Sequence, residues 1–295
     1  MMSAHIINGR EIAEQIRNEL RQEVNVLATK GIVPGLAVVI VGENPASQIY
    51  VKMKAKAAAE LGIYSETLQV PADVEESKLL QQIDDLNRKN DIHAILVQLP
   101  LPKHINEQRI IQAILPEKDV DGFHPVNRGK LVIGEETFVP CTPLGIQELL
   151  LRSHLETSGK HVTIVGRSKI VGLPLVSIFL QKKDGANSTV TVCHTGTPDI
   201  SYFTKQADIL IAAIGKPEII TGDMVKEDVV VIDVGINRIK DTTHAKGYRI
   251  VGDVDYASVS RKAKAITPVP GGVGPMTIAM LMQNTVKAAT KQMRL

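Results

Sequence analysis

The sequence predicts an α/β protein made of two α/β domains, and three observations carry that prediction. Short β-branched runs alternate with amphipathic helical stretches along the whole chain, the pattern of βαβ units and parallel sheets. At 295 residues the chain is long enough to bury two cores. A Pro- and Gly-bearing stretch, 116–145, parts the alternation into two halves.

The elements follow in order. The N-terminal residues enter a helical pattern at once, and GREIAEQIRNELRQEVNVLATKG (9–31) carries Ile12, Ile16, Leu20 and Val24 on one stripe before closing at Gly31. LAVVIV (36–41) reads as a buried strand. PASQIYVKMKAKAAAELG (45–62) reads as a helix opened by Pro45 and closed by Gly62. YSETLQV (64–70) is a second strand, the segment near 73–90 a helix, and HAILVQLPL (93–101) a third strand. The stretch 116–145 reads as a turn-rich connection that carries function rather than core. From about Ile146 a helix leads into the second half, with strands at 161–166, 188–194, 208–215 and 229–235. A last strand near AITPV runs into PVPGGVGP, and a final helix starts near Met276.

Composition excludes several classes. Hydrophobic content of 44% and charged content of 22% are those of a soluble globular protein. The net charge of +2 and the lack of Lys/Arg runs argue against nucleic acid or an anionic membrane as partner. Base-stacking platforms are not expected from 3% aromatic residues and no Trp. Cys141 and Cys193 stand far apart in no paired motif, so free thiols are expected, with no disulfide framework and no metal. There is no apolar signal core or Arg-rich leader, and the apolar runs are shorter than the roughly 20 residues of a membrane helix. The expected location is the cytoplasm.

Ligands of open parallel sheets bind at the strand ends, so the residues there are the candidates. HVTIVG runs directly into GRSKIVGLP, placing Gly166, Arg167, Ser168 and Gly172 in a strand-to-helix turn. Glycine allows the sharp turn, and the helix that follows points its first amides at a phosphate. The strict G-x-G-x-x-G spacing is absent. NAD sites carry an acidic residue about 20 residues further on. Here the next strand ends in His194, Thr195 and Thr197 with no carboxylate. Hydroxyls and Arg167 suit a 2′-phosphate, so the cofactor expected is NADP.

On the helix 45–62, at roughly 100° per residue, Ser47, Tyr50 and Lys54 share a narrow stripe, while Lys52 falls nearly opposite Tyr50. Tyr50 and Lys54 are i, i+4 neighbours able to meet over one pocket. Gln98 interrupts an apolar strand near its C-terminal end, and Asp121 lies in the DVDG turn. Singly, each has a bland explanation as a solvated charge, a packing ring, an edge residue or a turn carboxylate. Together they make a candidate site.

These residues stand within longer motifs: VGENPASQIYVKMKAKAAAELGI, VQLPLP, PEKDVDGFHPVN, PCTPLG, VGRSKIVGLP, VVVIDVGIN and PVPGGVGPMT. The set closely resembles the bifunctional methylenetetrahydrofolate dehydrogenase/cyclohydrolase family, in the family's order and over essentially the whole chain. The resemblance implies a folate-binding catalytic domain, residues 1–145 completed by 273–295. It also implies a Rossmann-like NADP-binding domain, residues 146–272, with a cleft between the two. It implies that Lys54 is catalytic, that Tyr50 packs on the folate, that Gln98 holds the lysine and that Asp121 anchors the pterin. Ser47 lies on the same helix face, and Gly271, Gly272 and Pro275 form the glycine-rich return to the folate. Gly166, Arg167, Ser168 and Thr195 would hold the NADP phosphates, with Ile236 and Thr277 at the nicotinamide end. One departure is HTGT after the 188–194 strand, where relatives carry Ser and then a basic residue. Thr195 keeps the hydroxyl, but Gly196 supplies no charge.

The activity implied is oxidation of 5,10-methylenetetrahydrofolate to the 5,10-methenyl cation with NADP. Hydrolysis to 10-formyltetrahydrofolate follows, in one-carbon metabolism. The substrate nitrogen stabilises the cation, so the first step needs no side-chain base. Lys54 moves the proton of the second, and an amide at Gln98 orients the amine without adding a negative charge. The family also implies a homodimer. A two-domain NADP oxidoreductase of the shikimate dehydrogenase kind is the rival enzyme, and a nucleotide-sensing module is the non-enzymatic one. Tyr50, Lys54 and Gln98 together with PVPGGVGPMT favour the folate enzyme over both.

Overall fold

The structure, a computed structural model, describes residues 4–243 and 247–293. In chain order the first elements are β1 (His5–Ile6), α1 (Gly9–Thr29), β2 (Gly35–Val41), α2 (Pro45–Glu60), β3 (Tyr64–Val70), α3 (Glu76–Arg88) and β4 (Ala94–Val97). Then come α4 (Glu107–Ala113), α5 (Pro125–Ile133), α6 (Cys141–Arg152), β5 (His161–Val165), α7 (Gly172–Phe179), β6 (Thr189–Cys193), α8 (Ile200–Thr204) and β7 (Ile209–Ala212). The remainder comprises β8 (Val230–Asp233), β9 (Asn237–Lys240), β10 (Tyr248–Val251), α9 (Tyr256–Val259), β11 (Ala265–Ile266) and α10 (Val273–Gln292).

Two compact units result. One takes Glu14–Cys141 and the chain from Ile278 onward. Its sheet is three-stranded and parallel, in the order β3-β2-β4. β2 is the middle strand and is buried along its whole length, which is why LAVVIV is continuously apolar rather than alternating. Val39, Val41, Leu79, Ile83, Ile95 and Ile110 belong to the core on this sheet. A segment of loop lengthens β4's free side: Ile95 and Asp119 form a parallel bridge, with the Ile95 amide donating to the Lys118 carbonyl at 2.8 Å.

The other unit takes the chain up to Ala13 and again from Thr142 to Thr277. Its six-stranded sheet has the order β1-β11-β8-β7-β5-β6, and every pairing in it is parallel. Counted from β5, the strands run 2-1-3-4-5, a doubly wound order that reverses between β5 and β7. β9 and β10 form a separate antiparallel hairpin, with Arg238 stacked 3.6 Å from the centre of the Tyr248 ring.

The structure departs from the sequence expectations in several places. His5–Ile6 is not part of a helical entry but a two-residue strand beside β11, so the start of the chain groups with the six-stranded unit and not with residues 14–141. The division falls after Cys141 and after Thr277, and the ends of the expected ranges, 1–3 and 294–295, lie outside the described residues. Within the stretch expected to be a connection, α5 forms because Pro125 opens it, the His124 ring accepts from the Val126 amide, and left-handed Gly134 ends it. β4 stops at Val97, since Pro100 and Pro102 have no N–H to continue a ladder. The last helix begins at Val273 and the one before β5 at Cys141, each a few residues earlier than expected.

Lys118 holds the segment that follows α4. It is buried, and its ammonium donates to the carbonyls of Asn87 and Lys89 at 2.8 Å and of Leu86 at 3.4 Å, closing the C-terminal turn of α3. Lys118→Met keeps the stem and removes the donors. It is expected to cost about 2–4 kcal/mol, because charge-assisted bonds to buried carbonyls are lost. Urea unfolding checks this; a midpoint equal to the parent's would show that the cap contributes nothing.

Candidate active site

The three-stranded unit brings together the polar residues singled out on α2, after β4 and in the DVDG turn. α2 leaves the C-terminal end of β2 through a loop in which the Asn44 side chain accepts from the Ala46 and Ser47 amides, capping the helix ahead of Pro45. The cap sets the helix phase: Ser47 is buried, Tyr50 is exposed, and Lys54 is half-buried. The Lys54 ammonium nitrogen donates to Gln98 Oε1 at 2.9 Å. Gln98 is itself fixed, because its backbone amide donates to the Val39 carbonyl at 2.8 Å and its side-chain Nε2 to the Leu99 carbonyl at 2.8 Å. One amide oxygen is thus aimed at one lysine.

Asp121 reaches the same place through register. Ile95 lies opposite Asp119 in a parallel bridge, and the turn that follows at once carries Asp121 to where the Lys54 charge acts on its carboxyl. Asp119 keeps the turn in shape: its carboxylate accepts from the Phe123 amide at 3.2 Å, the His124 amide at 2.8 Å and Asn127 Nδ2 at 2.8 Å. Asn127 in turn accepts from the Thr137 hydroxyl at 2.8 Å. Burial pushes the Asp121 carboxyl up to about 6, against the opposing pull of Lys54; the neighbouring Asp119 charge adds to the rise. Lys54 therefore has an amide as hydrogen-bond partner, as expected, and also a carboxylate close enough to feel its charge.

Two residues here escaped sequence reasoning. Cys141, read as a plain free thiol, lies with its sulfur 3.7 Å from Asp121 Oδ1 and 3.6 Å from the Val120 carbonyl, positioned to donate to either. Burial holds that thiol well above its ordinary pKa, so it serves as a donor and not as a nucleophile. Asn284 of α10 donates to the Val120 and Val139 carbonyls at 2.7 and 3.1 Å and lies 3.8 Å from the Cys141 sulfur. The only sequence signal for Cys141 was its place in PCTPLG, and Asn284 gave none.

The six-stranded unit holds the other candidates. β5 ends at the reversal of strand order, and Gly166 follows with φ of 133°. A Cβ there would run into the Ala213 carbonyl oxygen, and one on Gly172 into the carbonyl of Gly166, so the crossing requires glycine at both positions. Arg167 and Ser168 are exposed, and Ser168 Oγ accepts from the Val171 and Gly172 amides at 3.1 and 3.4 Å, ordering the entry to α7. The Gly166 amide donates to the Cys193 carbonyl at 2.9 Å, which places the 194–197 turn beside this loop. There Thr195 is exposed, and the Gly196 amide donates to His194 Nδ1 at 3.0 Å. Ile236, after β8, is exposed, and Thr277 Oγ1 lies 3.0 Å from Thr142 Oγ1. Gly271 and Gly272 are buried against the start of α1, where the Arg10 amide donates to the Gly271 carbonyl at 3.1 Å; half-buried Pro275 lies in the first turn of α10. These three residues belong to the six-stranded unit and not to the one that holds Lys54.

The chemistry of the two sites differs. A lysine oriented by an amide, with a carboxylate at its side, can move a proton and hold a cationic or hydrogen-bond-donating ring. A glycine crossing at a sheet's switch point, with exposed amides, hydroxyls and an arginine, suits the phosphates of a dinucleotide.

Family models match both halves of the chain. Residues 7–121 match the tetrahydrofolate dehydrogenase/cyclohydrolase catalytic domain, and residues 140–293 match the NAD(P)-binding domain of the same name. The bifunctional protein FolD of Chlorobium chlorochromatii is 58% identical over 286 residues, 96% of this chain and 97% of that protein. Among solved structures, the bifunctional FolD of Campylobacter jejuni is 48% identical with a TM-score of 0.93, covering 99% of this chain and 100% of that one. The Trypanosoma brucei dehydrogenase-cyclohydrolase, solved with NADP cofactor and an inhibitor, is 40% identical with a TM-score of 0.94, covering 100% of both chains. The shikimate dehydrogenase of Listeria monocytogenes, at 14% identity and a TM-score of 0.54, shares the fold alone. With both domain matches spanning nearly all of its length, the chain belongs to the tetrahydrofolate dehydrogenase/cyclohydrolase family.

Proposed function

We infer that this chain oxidises 5,10-methylenetetrahydrofolate to 5,10-methenyltetrahydrofolate with NADP and then hydrolyses the product to 10-formyltetrahydrofolate. The observation that carries the reading is the hydrogen bond from Lys54 to Gln98 at 2.9 Å, with Asp121 beside it, in a chain of this family. In the proposed assignment Tyr50 and Ser47 line the folate site on α2, Asp121 accepts from the pterin's N–H donors, and Gly271, Gly272 and Pro275 contact the substrate from the glycine-rich segment.

The fit for NADP rests on the glycine crossing at Gly166 and Gly172, where a Cβ would run into backbone carbonyls, so that β5 passes tightly into α7 at the switch point of the sheet. Gly166, Arg167, Ser168 and Thr195 would hold its phosphates, and Ile236 with Thr277 its nicotinamide end. The chemistry it supplies when bound is acceptance of the hydride that leaves the bridging carbon. Beyond that, the protein's own groups align and protect. Water adds to the cationic methenyl carbon, Lys54 takes its proton, and Gln98 keeps the amine pointed at that water. The proton is then delivered to the ring nitrogen that leaves as the ring opens. The same reading makes the chain a cytoplasmic homodimer, formed through the cofactor-binding unit, where β6 is a sheet edge.

Three measurements test these assignments. Lys54→Met is expected to lower hydrolysis of methenyltetrahydrofolate by about 10²–10⁴-fold with the fold retained, the usual worth of a positioned acid–base group. Hydrolysis at the parent rate would remove Lys54 from the mechanism. The Asp121 carboxyl, raised to about 6, takes up a proton as pH falls through that value and stops accepting from the pterin. KM for the folate should therefore climb up to about tenfold per pH unit below 6 and go flat in Asp121→Asn. Because folding favours the protonated form of a raised carboxyl, this loss of affinity is not accompanied by acid unfolding from the same group. Arg167→Ala should raise KM for NADP about tenfold and leave KM for NAD within about twofold, as loss of a phosphate partner requires. Equal effects on both cofactors would place Arg167 elsewhere.

A further inference from the structure

In the six-stranded unit, two buried carboxylates lie at or just beyond strand ends. Asp233 closes β8, and Asp253 follows β10; neither side chain reaches solvent to any extent. Asp233 Oδ1 accepts from the Gly235 amide at 2.9 Å and the Asp253 amide at 2.9 Å, and its Oδ2 from the Val254 amide at 3.0 Å. Asp253 Oδ2 accepts from the Ile214 amide at 2.6 Å and the Gly215 amide at 2.9 Å, and its Oδ1 from Asn237 Nδ2 at 2.8 Å. Every partner is an N–H donor, an arrangement that suits two carboxylates and that a side-chain amide only half reproduces. A Cβ on Gly252 would run into Asp233, and one on Gly235 into Asp253, so the chain approaches both carboxylates as closely as glycine allows.

What these groups hold is the end of the sheet where ligands bind. Ile214 and Gly215 belong to the loop after β7, and Gly235 and Ile236 to the loop between β8 and β9, which Asn237 opens. Ile236 is bracketed: the residue before it is tied to Asp233 and the residue after it to Asp253. Its own side chain is 54% exposed, an apolar group left open on a loop fixed from both sides. Burial, with a smaller push from the Asp253 charge, raises the Asp233 carboxyl to about 6 against the three amides that favour its charge, so this is an unfavourable place for a carboxylate with no task.

We propose that Asp253 and Asp233 are positioning residues for hydride transfer: they lock the loops after β7 and β8 so that Ile236 presents a rigid apolar floor to the nicotinamide ring. The proposal rests on the folate dehydrogenase reading and on Ile236 meeting the nicotinamide. It separates the two activities, because hydrolysis needs no nicotinamide.

The test measures both activities on the full chain. In Asp253→Asn the amide's NH₂ group must face either the Ile214 and Gly215 amides or Asn237, so one loop is released. Dehydrogenase kcat/KM is expected to fall by about 10–100-fold, the cost of misplacing a reacting group by about an ångström. Hydrolysis of added methenyltetrahydrofolate should stay within about twofold of the parent, with far-UV circular dichroism unchanged. Asn237→Ala, a milder change on a half-buried residue, provides the second variant should Asp253→Asn fail to fold. It is expected to lower dehydrogenase kcat/KM about threefold or more and to spare hydrolysis. Unchanged dehydrogenase kinetics in a folded variant would overturn the proposal, as would equal loss of both activities. A parent protein with neither activity would overturn the functional reading and the proposal with it.

Discussion

Lys118 and Asp119 are adjacent in the chain, both buried, and both spend their polar atoms largely on backbone. The lysine closes α3, and the aspartate gathers the first amides beyond the turn toward α5. Between them they bind the 118–122 turn to the sheet on one side and to a helix entry on the other. Asp121 is then held in position although it sits in a loop, where backbone freedom would otherwise blur its location by more than a hydrogen bond tolerates. The lysine–glutamine pair on the neighbouring elements gains its carboxylate neighbour through the bonds that tie this turn down.

The same device recurs in the other unit. Asp119, Asp233 and Asp253 each satisfy backbone amides at or beyond a strand end and spend their acceptors on the protein itself. Parallel sheets place their functional loops at the C-terminal edge, where the ladder has just ended and the amides have lost their partners. A short carboxylate is the side chain that supplies several acceptors at once. Carboxylates at these edges therefore divide into those proposed to meet substrate, as for Asp121, and those that keep the edge in shape.

The alternation of strands and helices made the fold class legible, because both periods were clean and the breakers stood between them. Strand order was not legible, since β1 pairs with β11 across nearly the whole chain and nothing local in HII marks a strand. Lys54 and Gln98 were legible for opposite reasons. Helical angles separated Lys54 from Lys52, while Gln98 stood out as a polar residue in an apolar run. Cys141 was not, because a buried thiol beside a carboxylate and a thiol in plain core have the same sequence. Asn284 was hidden within an apolar helix, and nothing local marks Asp233 or Asp253, whose amide partners come from other loops. The roles of Gly271, Gly272 and Pro275 rest on resemblance, for their neighbours in the fold are the first turn of α1 and the segment around Thr267.

The interleaving of the two units bears on how the chain can be made. The six-stranded sheet uses residues from the very start of the chain, and the three-stranded unit uses a helix from its far end. Asn284, Lys287 and Gln292 of that helix bond carbonyls at Val120, Thr137 and His93. A ribosome delivers these partners well over a hundred residues apart. The apolar cluster on the three-stranded sheet draws only on residues 37–114 and can gather early, whereas the Val120 carbonyl in the turn that carries Asp121 waits for Asn284. The core of that unit thus precedes its site, which is finished only when α10 has been made and docked.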